Sequence, residues 1–197
     1  MARSGDVYTN PVTGERAVLR AGDEDGDPTH IVTDLYVSPG GRVAGAHVHP
    51  SFSERFEVIS GRVGLRIGDR QDVGGPGTVR EAPAGTVHDW WNAGDDEAHV
   101  AVELRGDEGT LRRFEEMLVT LFGLAHDGRV RKDGMPDLLQ AAVIADEFSD
   151  VIRFVKPPFP VQRVLFGVLA AVGRRTGRRA TYPQHRALVV QRSETAA

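Results

Sequence analysis

The chain has 197 residues, 40% hydrophobic and 26% charged, with 23 glycines and 11 prolines, a composition expected of one globular domain with an appendage and many turns. It has no cysteine, which excludes a disulfide framework, thiolate metal ligands and a cysteine nucleophile. The net charge of -4 is uneven: residues 151–197 hold nine Lys/Arg against one Asp/Glu, about +8, leaving about -12 elsewhere, so the two parts are expected to attract each other.

The opening MARSGDVYTNPVTGER lacks a charged segment followed by an apolar one, so no secretory signal is read and a cytoplasmic location is expected. Residues 1–27 are read as an N-terminal arm. From Ile31 to about Leu104 the segments IVTDLYV, RFEVIS, RVGLRIG and HVAVEL alternate or are β-branched, with Gly, Pro or Asp clusters between them. Short strands at this spacing predict a sandwich or barrel over residues 28–106. In RVGLRIG, Val63, Leu65 and Ile67 share the inward face, with Arg62, Gly64 and Arg66 on the wet side.

After Arg105 the period changes. TLRRFEEMLVTLFGL places Leu111, Phe114, Leu118, Leu121 and Phe122 on one helical stripe, with Thr110 as its expected N-cap. A second helix is expected from Pro136 through DLLQAAVIADEF, and a third after the Pro157 to Pro160 break, through VQRVLFGVLAAV to about Gly173. The fold class is therefore mainly β with an α extension over residues 107–197. The apolar run Val164 to Gly173 would span about 15 Å as a helix, short of a bilayer core of roughly 30 Å. The first few residues and the final RSETAA are expected to be disordered.

The candidate site lies in GAHVHPSFSE, Gly45 to Glu54. Residues i and i+2 of a strand share a face, so His47 and His49 can hold one ion between them. If a strand resumes after the PSFS loop, Glu54 faces inward with Phe56 and Val58. In GTVREAPAGTVHDWWN, a frame of Gly77, Pro83 and Gly85 brings in His88, with Trp90 and Asn92 on the same face. Imidazole and carboxylate ligands suit one divalent transition metal ion, Fe, Mn, Co, Ni, Cu or Zn. The alternative is a hydrogen-bonded polar cluster without an ion. Burying four such groups without a cation costs several kcal/mol, which an ion held by all four offsets.

The other histidines, His30, His99, His126 and His185, have no partner at ligand spacing and are read as surface or hydrogen-bonded residues. Trp91 is expected to point outward beneath the C-terminal helices. The basic RRTGRRA, Arg174 to Ala180, lacks interleaved aromatics or a groove-reading motif and is read as a helix end docking on an acidic surface, with no nucleic-acid partner.

These residues carry a family resemblance. Gly41, His47, His49, Glu54 and Gly61 fit the first cupin motif without a gap, and Gly77, Pro83, Gly85, His88 and Asn92 fit the second, so residues 28 to 105 resemble a cupin. The resemblance implies a double-stranded β-helix (jelly-roll) barrel with His47, His49, Glu54 and His88 as metal ligands, and a homodimer through barrel edges, consistent with the hazard of open strand edges. The ligand set is similar to that of quercetin 2,3-dioxygenase-type cupins. That implies a metal-dependent oxygenase acting on a small hydroxylated aromatic or an enol or β-diketone, with Glu54 as ligand and general base and Phe56, Trp90 and Asn92 beside the substrate.

Two alternatives stay open. One is an isomerase, cyclase or decarboxylase using the metal as a Lewis acid without O2. The other is a non-catalytic barrel that binds a small molecule. The extension can cover the barrel mouth, form a dimer interface or, less favoured, lie on a membrane surface.

Overall fold

In the computed structural model, residues 4–21 and 27–192 are described. The two ends expected to be disordered lie largely outside these limits. The chain forms two antiparallel sheets followed by helices. The first sheet has the order β12-β1-β2-β3-β10-β5-β8 and the second β11-β4-β9-β6-β7. Their strands are β1 Asp6–Thr9, β2 Arg16–Ala21, β3 His30–Val37, β4 Arg42–Val48, β5 Ser53–Ser60, β6 Val63–Ile67, β7 Arg70–Gly74, β8 Val79–Ala82, β9 His88–Asn92, β10 Ala98–Arg105, β11 Arg153–Phe154 and β12 Val190–Arg192.

The alternation legible in the sequence is what closes the barrel. Phe56, Val58, Val63, Leu65, Trp90, Val100, Val102 and Leu104 are all buried and meet in one core between the sheets. Outward neighbours such as Arg55, Glu57, Arg66 and Glu103 keep solvent contact, as period-two strands allow, whereas Gly64, Asp89 and Ala101 are covered. Trp91 does point outward, but it lies beside Gly64 and under the Arg42 guanidinium rather than beneath the helices. The glycine leaves room for the indole: a Cβ at position 64 would sit 2.2 Å from the ring.

Residues within the N-terminal arm are strands of the first sheet. β1 pairs with β2, β2 with β3, and β1 also with β12 from the far end of the chain. Tyr8, Ala17 and Leu19 form a second core with Val119 and Phe122.

The helices are α1 Glu108–His126, α2 Leu138–Glu147, α3 Phe159–Arg175 and α4 His185–Val189. α1 starts earlier than Thr110 because Asp107, a stronger cap, accepts a hydrogen bond from the Thr110 main-chain N–H at 3.0 Å. α2 is capped in the same way by Asp137. α3 packs on α2, where Gly173 touches the main chain of Leu139. Its Val161, Val164, Val168 and Val172 remain exposed, so the apolar run of this helix does not cover the barrel mouth. The basic segment docks on acidic residues of α2 and its cap: Arg174 pairs with Asp146 at 2.8 Å and Arg178 with Asp137 at 3.0 Å. Among the described residues no helix is long and apolar enough to cross a membrane.

Candidate metal centre

His47 and His88 are direct cross-strand partners on β4 and β9. β4 carries an irregularity between Val43 and His47, where Gly45 adopts a φ of 67°, a left-handed conformation glycine takes without steric cost. The bulge turns the Gly45 carbonyl toward its own strand, where it accepts a hydrogen bond from His47 Nδ1 at 2.6 Å. His49 lies just past the end of β4 on the same inward face. Glu54 enters from β5 in the opposite sheet, aligned with Ala82 and Leu104.

The four side chains are between 2% and 7% exposed, and one ligand atom from each lies within 4.8 Å of every other. Each imidazole is held from behind. Alongside His47, the Nδ1 of His49 donates to the Val151 carbonyl at 2.8 Å and that of His88 to the Thr86 carbonyl at 2.9 Å. A carbonyl only accepts, so all three Nδ1 atoms carry a proton and each Nε2 is turned inward, where a neutral ring offers its lone pair to a cation.

Those lone pairs converge. His47 Nε2 is 3.1 Å from His49 Nε2, and Glu54 Oε2 is 2.9 Å from His88 Nε2 and 3.4 Å from His49 Nε2. Neutral imidazoles and a carboxylate so arranged repel unless a cation or added protons lie between them. The donor set therefore fits a divalent transition metal ion, with His47, His49, Glu54 and His88 as its ligands.

Ionisation follows the same geometry. Burial, reinforced by His49 and His88, pushes the His47 imidazole down to about 3. Burial alone would raise the Glu54 carboxyl, but hydrogen bonds and charge from His49 and His88 outweigh it and hold the group below the usual carboxylate range. For His88 burial works downward, and the Glu54 carboxylate outweighs it and raises the imidazole. A bound cation takes the place of the protons between these groups, so three imidazole nitrogens and one carboxylate oxygen suit it.

The ligands His47, His49 and Glu54 face a cavity of about 430 Å³, within the roughly 300 to 1,000 Å³ of small-molecule sites. Trp90, Val102, Leu104, Phe114, Met117 and Ile144 make much of its wall. Helices α1 and α2 and the segment 152–154 thus close what would otherwise be an open barrel end. Trp90 lines this cavity. Phe56 is set behind it in the core, its ring 6.1 Å from His88 and 6.0 Å from Trp90. Asn92 is buried and occupied: its Nδ2 donates to the Val37 and Asp96 carbonyls, and its Oδ1 accepts from the Gly94 N–H. It shapes the turn after β9 rather than meeting the cavity.

The extension contributes more than the motifs suggested. β11 pairs with β4 beside His47, placing Phe154 opposite it. Phe52 stacks on His49 at 4.2 Å and Phe114 of α1 meets the same ring edge-on at 5.9 Å. The Val151 carbonyl had no sequence signal, since any residue supplies one, whereas Phe52, not singled out from the sequence, sits inside the motif loop, a position that could have signalled it. The remaining histidines serve other contacts: His30 with Glu103, His99 with Asp34, His126 with Thr9 and His185 with Asp127.

Residues 34–103 match the family model described as Cupin domain. No curated protein matches the chain in sequence. Among solved structures, the chain is similar to a predicted oxalate decarboxylase from Thermotoga maritima, at 16% identity with a TM-score of 0.46 over 54% of this chain and 99% of that one. It is also similar to KdgF from Halomonas sp., at 16% identity and a TM-score of 0.44 over 52% and 88%. A third is a sugar phosphate isomerase from a cupin superfamily of Silicibacter pomeroyi, at 24% identity and a TM-score of 0.44 over 50% and 64%.

Proposed function

The barrel of this chain belongs to the cupin superfamily, and from that premise we propose that it is a metal-dependent oxygenase of a small hydroxylated aromatic or enol-type substrate. The observation that carries this reading is the convergence of three pinned imidazoles and one buried carboxylate on an apolar cavity. When bound, a divalent transition metal supplies Lewis acidity toward a substrate oxygen and a route for electrons to O2.

The protein's own groups do the rest. His47, His49 and His88 keep fixed orientations because their Nδ1 atoms are tied to the main chain. Glu54 Oε2 takes the proton of the substrate hydroxyl, leaving an electron-rich enolate or phenolate. Trp90, Phe114 and Ile144 exclude water from that anion, which favours reaction at carbon over reprotonation.

The test combines metal analysis with oxygen uptake. Protein reconstituted in turn with Fe, Mn, Co, Ni and Cu is expected to hold about one ion per chain, lost in His88→Ala, and to consume O2 with a flavonol or β-diketone. Turnover that proceeds equally without O2 would replace the reading with Lewis-acid isomerisation or decarboxylation. Failure to bind any ion after reconstitution would leave a binding module. We also propose a homodimer, which the exposed Val73 and Val79 on edge strands β7 and β8 support; light scattering at a monomer mass would overturn it.

A further inference from the structure

The cavity has a second polar place, on the hairpin between β1 and β2. Asn10 and Glu15 line the same cavity as His47, His49 and Glu54. They face each other across the hairpin just beyond the Thr9 and Arg16 pair, with the Asn10 N–H donating to the Glu15 carbonyl at 2.8 Å. Asn10 shapes the turn through its oxygens: Oδ1 accepts from the N–H groups of Val12 at 3.0 Å and Thr13 at 3.2 Å, and its carbonyl accepts from Gly14 at 2.9 Å.

That leaves two side-chain groups without employment. Asn10 is buried, yet its Nδ2 has no hydrogen-bond acceptor among the described residues. The Glu15 carboxyl likewise has neither a hydrogen bond nor an ion pair among them, although burial pushes it up to about 7. Asp133, at the same rim, is by contrast taken by Arg131 at 2.6 Å. Neither group is sealed away from solvent, so a ligand entering the cavity can reach both. An unpaired donor beside an unpaired acceptor on a mostly apolar wall matches the few orienting groups of a ligand site.

We infer that Asn10 and Glu15 form a second recognition point that takes a hydroxyl group of the ligand, remote from the group that meets the metal ligands. A hydroxyl donates to the Glu15 carboxylate and accepts from Asn10 Nδ2, satisfying both at once. A protonated amine would leave Nδ2 unpaired, and an ether would leave the carboxylate unpaired. Resting on the proposed function for its metal-binding end, this makes the substrate a largely apolar molecule with a chelating oxygen at one end and a hydroxyl at the other.

The experiment uses flavone probes in fluorescence titrations of the full chain. 3-Hydroxyflavone carries a chelating end alone, 3,4′-dihydroxyflavone adds a distal hydroxyl, and 4′-hydroxyflavone against plain flavone tests that hydroxyl on metal-free protein. The distal hydroxyl is expected to tighten binding about tenfold in both comparisons. Glu15→Leu, which removes the acceptor, should abolish that gain while leaving 3-hydroxyflavone affinity unchanged. Its thermal unfolding should come no lower than that of the wild type, because no partner inside the protein is lost and a charge that burial disfavours is removed. Equal binding with and without the distal hydroxyl, or a gain that survives Glu15→Leu, overturns the inference. A gain on metal-free protein with no O2 uptake on the metal-loaded protein sinks the oxygenase reading and leaves the recognition point standing.

Discussion

His49 Nδ1 donates to the carbonyl of Val151, 102 residues further along the chain. An imidazole supplied by the first motif is thus oriented by the turn after α2, and the extension is part of the candidate metal centre. Groups that tie back a metal-binding imidazole set its basicity and angle, so the docking of this turn should register in metal affinity.

Arg113 provides the handle. Its guanidinium, on α1, donates to Asp150 at 2.8 Å and to the Glu147 carbonyl at 2.6 Å, fastening the turn that precedes Val151. Arg113→Ala is expected to weaken metal binding about tenfold, read by competition with a chromophoric chelator. Unchanged affinity would show that the turn holds its place without this arginine.

Glu54→Gln keeps the shape of the side chain and removes its charge. Metal affinity should fall, and turnover at saturating metal should fall about 10²- to 10⁴-fold, the range of a lost general base. Steady-state oxygen uptake with metal content measured in the same sample separates the two losses. Full turnover in the variant rules out Glu54 as the proton acceptor.

Asp34 offers a pH signature away from the metal centre. It accepts from Arg20 on β2 and His99 on β10. Burial works upward, but these hydrogen bonds and charges outweigh it and hold the carboxyl below its usual range. A group whose folded-state value is depressed contributes stability above its unfolded value, near 3.8, and loses it as pH falls through the folded value. Asp34→Asn should therefore cost about 1–3 kcal/mol at pH 7, a deficit that begins to close below about pH 4 and shrinks further as pH falls toward the depressed folded value. Urea denaturation of both proteins at pH 7 and pH 3 provides the comparison, and a pH-independent difference would contradict it.

Gly123 tests how α4 is seated. A Cβ there would lie 2.1 Å from the His185 ring, which is fully buried and paired with Asp127 at 2.9 Å. Gly123→Ala is predicted to destabilise by about 1–3 kcal/mol through overpacking, despite the better helix propensity of alanine. An increase in the midpoint of chemical denaturation would show that α4 moves aside at no cost.

Strand alternation and the two histidine-bearing motifs were enough to place the barrel, its inward faces and the buried cluster of His47, His49, Glu54 and His88. Those features are local: i, i+2 spacing sets a shared face whatever lies elsewhere. The three longer helices were legible for the same reason, except that Asp107 rather than Thr110 begins α1. What the tertiary structure alone decided is nonlocal. Only packing shows that β1 and β2 extend the first sheet and that α3 turns its valines outward. Only packing shows that Asn92 serves a turn while Glu15 faces the cavity. The Val151 carbonyl makes the reason plain: a main-chain acceptor is the same in nearly every residue, and only folding decides which one stands 2.8 Å behind His49.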